Sequence, residues 1–313
     1  MLLFSYFYVG IILFIMNNVI NFYYGINTMD ISEIKEGFSF NYNENNYYLV
    51  EYDRSEKELK GLIDICFELK KRNILTNEFI INKYNNYLTP YNGKKMILIK
   101  QKTKEYNIDL NDILYVQNSS LGLTFDKNIS RNNFIDLWKN KIDFHEAKVN
   151  SNYRLIYKTI DYYIGLGENA ISYVTTNNIK TTSAVLSHRR LKMDSLDFYN
   201  PLNYVIDSRA RDFAEYIKEM LFFRDVSDDL IISFFNYANF TRDECILFIS
   251  RMLYPTYFFD AVDRVILYNE NEEIIRPILD QNDRYLRLLK KIFYHINYDL
   301  GMNIPLIEWI IKK

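Results

Sequence analysis

Bulky and polar residues alternate in GFSFNYN (37–43) and again in NNYYLVEYD (45–53), the period-two pattern of half-buried strands, and the Asn/Glu step between them predicts a hairpin turn. The period then changes. In SEKELKGLIDICFELKKRN (55–73), Leu59, Leu62, Ile63, Ile65, Cys66 and Leu69 fall on one helical stripe. Ser55 stands at the N-cap position, and Glu58 three residues on completes a capping-box pattern. Two more strands are predicted in NEFIINKYNN (77–86) and KKMILIKQK (94–102), split by the turn-like TPYNGKK. The first part of the chain thus reads strand, strand, helix, strand, strand. Beyond Ile108 the spacing is helical, with helices predicted over 131–149, 161–175, 212–223, 228–237, 241–253, 257–268 and 283–298. Within it, 187–208 is irregular, and NYVIDS reads as a short strand ending on a carboxylate. The chain carries no internal repeat and no long linker.

The N-terminus departs from this pattern. From Met1 to Met29 there is no charged side chain, and Met1 to Met16 is almost wholly apolar or aromatic. A membrane-spanning helix needs about 17 to 25 apolar residues, whereas this run stops at Asn17, Asn18 and Asn21. A secretory signal would open with basic residues and close at a small-residue cleavage site, and neither is present. Three readings remain: translation starting at Met16, a true membrane segment, or a buried helix. The expected division is an apolar leader over 1–15, a small lobe over 16–105 and a helical lobe over 106–313.

Composition narrows the function classes. Among 313 residues, 38 Lys and Arg oppose 40 Asp and Glu, giving a net charge of -2, so no excess positive charge is available to neutralise nucleic-acid phosphates. Hydrophobic residues make up 49% and charged residues 25%, a globular balance. With 9 Gly and 5 Pro there is little material for a glycine-rich phosphate cradle, while 28 Tyr and 22 Phe supply bulky packing surface. Cys66 and Cys245 stand far apart, and His145, His188 and His295 are dispersed. A disulfide scaffold or zinc ribbon is therefore not expected, reduced cytosol is the default compartment, and a metal site would have to rest on carboxylates.

Two motifs bear on chemistry. Gly165-Leu166-Gly167-Glu168-Asn169-Ala170 matches G-x-G-x-x-A, but it follows helix-like residues and lacks an acidic residue about 20 positions on, so it reads as helix and not as a dinucleotide turn. The run His188-Arg189-Arg190-Leu191-Lys192-Met193-Asp194-Ser195 keeps the frame of a kinase catalytic loop, H-R-D-L-x-x-x-N. Arg190 occupies the position of the Asp base and Ser195 that of the metal-binding Asn; a guanidinium cannot accept a proton. Downstream, Asp207 ends the apolar run Tyr204, Val205, Ile206, and Asp212 opens RDFAEYIKEM.

INFYYGIN, WKNKIDFHEAKV, YYIGLGENAISYV, LSHRRL and NYVIDSRARDFAEYI, spread from about residue 16 to the C-terminus, resemble the spore coat-associated proteins of the YutH and CotS type, within the aminoglycoside phosphotransferase and choline kinase-like superfamily. The resemblance implies an α+β, protein-kinase-like two-lobed fold with a small strand-rich N-lobe and a large helical C-lobe. It places Asp207 where a magnesium ligand would sit, the alternative being an ion pair with Arg209 or Arg211. It casts Asp212 as helix cap and brace of the catalytic-like loop. The same frame calls for glycines in the first strand pair and a Lys on the third strand, where the chain has only Gly37 and, in the Lys position, Glu51. Asp194 or Asp197 as substitute bases, and Asn200 or Asn203 as displaced metal ligands, are the rescue schemes. Trp138 and Trp309 read as packing residues, His145 and His295 as helix-face residues, and Lys70-Lys71-Arg72 and Lys312-Lys313 as helix C-terminal charges.

With the Gly loop, strand Lys, base and Asn unmatched, the expectation is a non-catalytic pseudokinase without a cofactor. By resemblance it would be a structural protein of the spore coat or sporulating-cell cytoplasm, with other coat proteins as partners and no nucleic acid. The alternatives are an atypical phosphotransferase using ATP and magnesium on a small molecule or protein, and a membrane-tethered scaffold if residues 1–16 are genuine.

Overall fold

A computed structural model describes every residue except 1, 29, 36, 103, 132, 180, 181, 225 and 313, and over 2–12 it describes the backbone alone. Two units emerge. The first holds residues 1–108, 123–129 and 192–204, and the second residues 109–122, 130–191 and 205–313.

In the first unit, β1 (Ile31–Ile34), β2 (Gly37–Tyr42), β3 (Asn45–Glu51), β4 (Glu78–Ile80), β5 (Leu88–Tyr91) and β6 (Lys94–Lys100) form an antiparallel sheet of order β1-β2-β3-β6-β4, with β5 also on β6. β1 and β5 carried no strand signal, being four residues each, and β5 contains Pro90. An edge strand tolerates that proline. The turn expected over 89–95 shrinks to Asn92 and Gly93, both at positive φ, as a two-residue hairpin requires. The strand expected over 77–86 pairs only at 78–80 because buried Asn82 gathers the chain after β4 into a loop, its side chain donating to the Leu88 carbonyl and accepting from the Tyr84 and Asn86 amides.

Period-two alternation along β6 explains the layering. Met96 and Leu98 join Phe38, Phe40 and Leu49 under Met16 and Ile20 of the Leu2–Tyr24 helix. Ile97 and Ile99 point the other way, onto Val50 and Leu59, and Leu59 lies on the Glu56–Lys71 helix. The sheet is covered on both faces. Ser55 caps that second helix by accepting from the Glu58 amide at 3.2 Å, but the Glu58 carboxylate turns to Arg54 instead of closing the box. Gly37 is dictated by the sheet: a Cβ there would lie 2.1 Å from the Leu49 carbonyl oxygen.

The second unit is helical around a short two-stranded sheet, β7 (Ala184–His188) with β8 (Tyr204–Ser208). Its first helix, Leu110–Ser120, was not foreseen, although Asp109 and Asp112 form a capping box that starts it. The Arg154–Thr176 helix begins earlier than expected because Glu272, distant in sequence, accepts from the Leu155 and Ile156 amides. Conversely, 228–237 splits into Asp228–Ser233 and Phe235–Ala238, closed by Asn239 in the left-handed conformation. The Arg242–Leu253 helix, started by a Thr241–Glu244 capping box, is buried from Glu244 to Leu253 and packs on Arg154–Thr176 and Ala210–Phe223. Among the described residues the one run long and apolar enough to cross a membrane is 242–268, but it is two helices and 78% buried.

Candidate functional site

The second unit positions the loop after β7. Asp212, in the first turn of the Ala210–Phe223 helix, does not cap it; its carboxylate accepts from the His188 amide at 3.1 Å and lies 2.7 Å from His188 Nδ1. Both residues are 1% exposed. Arg211 completes the brace. Its Nε donates to the His188 carbonyl at 2.7 Å, one Nη to the Arg189 carbonyl at 2.9 Å, and the other to Asp207 Oδ2 at 2.9 Å.

Asp207 is thus already engaged. Its Oδ1 accepts from Arg251 Nη2 at 2.6 Å and from the Ser208 amide at 2.7 Å. The carboxylate is 6% exposed, so the pairing is in a water-poor setting where a lone guanidinium or carboxylate would be severely destabilised. Arg209 is not a partner; it donates to the Ala238 carbonyl and to Asn118. Arg251 lies 44 residues away on the Arg242–Leu253 helix, which is why proximity in sequence could not reveal it.

Arg190 turns to Asp260 on the Thr256–Tyr268 helix, making a bidentate pair with contacts of 2.7 and 2.8 Å. Burial raises the Asp260 pKa, with Arg190 acting against it. Glu215 goes the other way: burial would raise it, but Lys218, Arg211 and Arg190 together hold it below the usual carboxylate range. Buried Lys218 is fully engaged by Glu215, Thr256 Oγ1 and the carbonyls of Arg251 and Tyr254.

Around these groups opens a cavity of about 460 Å³ lined by Arg131, Lys141, Arg189, Arg190, Arg211 and Arg251, with Glu215 and Asp260 as its carboxylates. Trp138 is part of its wall, stacked on Tyr254 with ring centroids 4.2 Å apart and planes 7° from parallel. The Arg251 guanidinium lies 4.8 Å from the centre of the Phe134 ring. Trp138 is thus more than a packing residue. No sequence signal joined Trp138, Tyr254 and Asp260 to the loop, since the contacts come from three helices.

The remaining candidates lie in the first unit or on helix faces. Buried Ser195 donates from Oγ to the Lys104 carbonyl at 2.7 Å and accepts from the Tyr106 amide at 3.0 Å, clamping 104–106. Asp194 caps the Ser195–Phe198 turn, Asp197 pairs with Lys192, Asn200 accepts from the Leu202 amide, and Asn203 donates to the Asp197 carbonyl. Glu51 pairs with Lys94 at 2.6 Å on the sheet surface. His145 is buried against Asp263 at 2.8 Å, His295 pairs with Asp299, and Trp309 donates to Asn169. Gly165–Ala170 lies inside the Arg154–Thr176 helix, where Gly167 lets Ile142 approach. Burial pushes the Cys66 and Cys245 thiols up to about 12. Among the described residues no three His, Cys, Asp or Glu side chains converge on a metal position.

A divalent cation at Asp207 would have to displace a guanidinium and remain beside two positive charges; the donor set does not fit magnesium as it stands.

Comparison with known proteins agrees with this frame. The family model described as "Spore coat putative kinase YutH" matches residues 17–292. The endospore coat-associated protein YutH of Bacillus subtilis (strain 168) is 22% identical, over 92% of this chain and 96% of that protein. An aminoglycoside phosphotransferase from Alicyclobacillus acidocaldarius superposes with a TM-score of 0.62 at 7% identity, covering 91% of this chain and 96% of that one. A spectinomycin phosphotransferase solved with ADP and spectinomycin gives 0.58 at 11% identity, covering 89% and 96%. The fold is kinase-like, and the chain belongs to the YutH spore coat family.

Proposed function

We propose that this member of the YutH family is a spore coat-associated, kinase-like protein that works by binding and assembly, without phosphoryl transfer. The observation that carries the reading is the pairing of Arg190, in the position of the catalytic base, with Asp260, together with the capture of Asp207 by Arg211 and Arg251. A base must accept the proton of the attacking hydroxyl, and a guanidinium never does at physiological pH. The magnesium carboxylate must present a free oxygen, and both of its oxygens are taken by arginines. Ser195, in the position of the second metal ligand, spends its hydroxyl on the Lys104 carbonyl. Loss of a transition-state positioner commonly lowers the rate by orders of magnitude, so three such substitutions leave little rate to recover. Spore coat association, with other coat proteins as partners, is supported by the family match and by the name of the Bacillus subtilis relative.

The test is transfer of radiolabelled γ-phosphate from ATP with magnesium, to water or to a sporulating-cell extract, by the full chain and by Asp207→Asn. Equal, background-level release from both is expected. Turnover that disappears in Asp207→Asn would instead establish an atypical phosphotransferase, the reading favoured by Asp207 and Asp212 standing at their expected places and by the named activities of the structural neighbours.

A further inference from the structure

The cavity beside Arg190 is built for negative charge. Its lining carries six cationic side chains against two carboxylates. Adding the groups paired behind them, Lys218 on the one hand and Asp207, Asp263 and Asp212 on the other, still leaves seven cations facing five carboxylates. A low-dielectric recess with surplus positive charge concentrates anions and repels cations. Arg251 adds a specific donor: it is 3% exposed, it lines the cavity, and its Nε has no hydrogen-bond partner in the protein. A buried guanidinium N–H without an acceptor is destabilising until one is supplied. The wall is aromatic, with Trp138 stacked on Tyr254 and Phe134 beneath the Arg251 guanidinium. At about 460 Å³ the space is in the range of small-ligand sites.

We infer that this cavity binds a small anion with a planar aromatic body, an aryl phosphate or aryl carboxylate, its acid group among Arg189, Arg131 and Arg251 and its ring along Trp138. Occupancy needs neither nucleotide nor phosphoryl transfer, so the inference goes beyond the non-catalytic reading and stands or falls apart from it. Arginine matches a phosphate or carboxylate through its planar fork of donors, and a flat ring gains contact area on an indole face without ordering many rotors.

Isothermal titration calorimetry on the full chain, with 1-naphthyl phosphate, inorganic phosphate, 1-naphthol and choline as probes, decides the matter. Naphthyl phosphate is expected to bind at least tenfold more tightly than inorganic phosphate or naphthol, and choline not at all. Arg189→Glu should weaken naphthyl phosphate at least tenfold, with Arg131→Glu as the independent variant should the first lower the melting temperature. Trp138→Ala should erase the preference for the aryl over the inorganic phosphate. Absence of heat from naphthyl phosphate at millimolar concentration, tighter binding of choline, or no effect of either charge reversal in a folded variant overturns it.

Discussion

Replacing Asp207 with Asn keeps the shape of the side chain and removes the charge that Arg211 and Arg251 share. Breaking a buried pair by removing one partner costs about 3–5 kcal/mol. A loss of that order is expected for Asp207→Asn in urea unfolding, whereas a carboxylate kept only to hold a metal would be lost with little effect on the metal-free protein. Arg190→Asp, which restores the residue type of a kinase base, is expected to set a like charge against Asp260, to lower stability and to yield no phosphotransfer in the same γ-phosphate assay. Two other carboxylates set an acid response. Burial acts to raise Asp228 and Asp263, but hydrogen bonds from Arg284 and Lys291 to the first, and from His145 and Lys141 to the second, outweigh it and hold both below the usual range. A depressed folded pKa contributes stability above the unfolded value, about 3.9, and that contribution is lost as pH falls through the folded value. The urea midpoint should therefore drop between about pH 4.5 and 2.5, and drop less in Asp228→Asn; an identical acid limb in that variant would contradict the assignment. At this scale the identity of the loop residues was readable from the H-R-x-L frame, but their partners were not. Arg251 and Asp260 come to Asp207 and Arg190 from helices 44 and 70 positions downstream, and nothing local in the sequence encodes that pairing.

Elements were most legible where periodicity was strong. The Glu56–Lys71 helix and the alternation of β2 and β3 follow directly from the stripe and the pleat. β1, β5 and the Leu110–Ser120 helix were missed because each is short, and their order comes from pairing with β2, pairing with β6 and an Asp109–Asp112 cap. The glycines of the Arg154–Thr176 helix give a paired test of packing. A Cβ on Gly165 meets nothing within 4 Å, while one on Gly167 would come to 3.0 Å from Ile142 and 3.6 Å from Phe259. Gly165→Ala should stabilise by up to about 1 kcal/mol through helix propensity. Gly167→Leu should destabilise by about 1–3 kcal/mol through overpacking. Thermal unfolding of the two variants checks both signs. The apolar N-terminal helix has an equally physical account at its C-terminal end, where Met16 and Ile20 are buried on the sheet while Phe14 and Phe22 face outward.

For the whole molecule, the strand-rich and helical parts were visible in the shift of period near Ile108, and the kinase-like fold in the spacing from His188 to Asp212. The cavity was not, since its charge belongs to six residues scattered from Arg131 to Arg251 in a chain whose net charge is -2. A near-neutral total can hide a local surplus, and only folding brings it together. That surplus bears on the central claim, that Asp207 serves two arginines and not a metal. The most direct measurement is a titration of Mn²⁺ into the full chain with ATP, read by the paramagnetic signal of the unbound ion, with Asp207→Asn in parallel. The expected result is the same free-ion signal with wild type and variant. Loss of signal with wild type that returns in Asp207→Asn would place a metal on that carboxylate and contradict the claim.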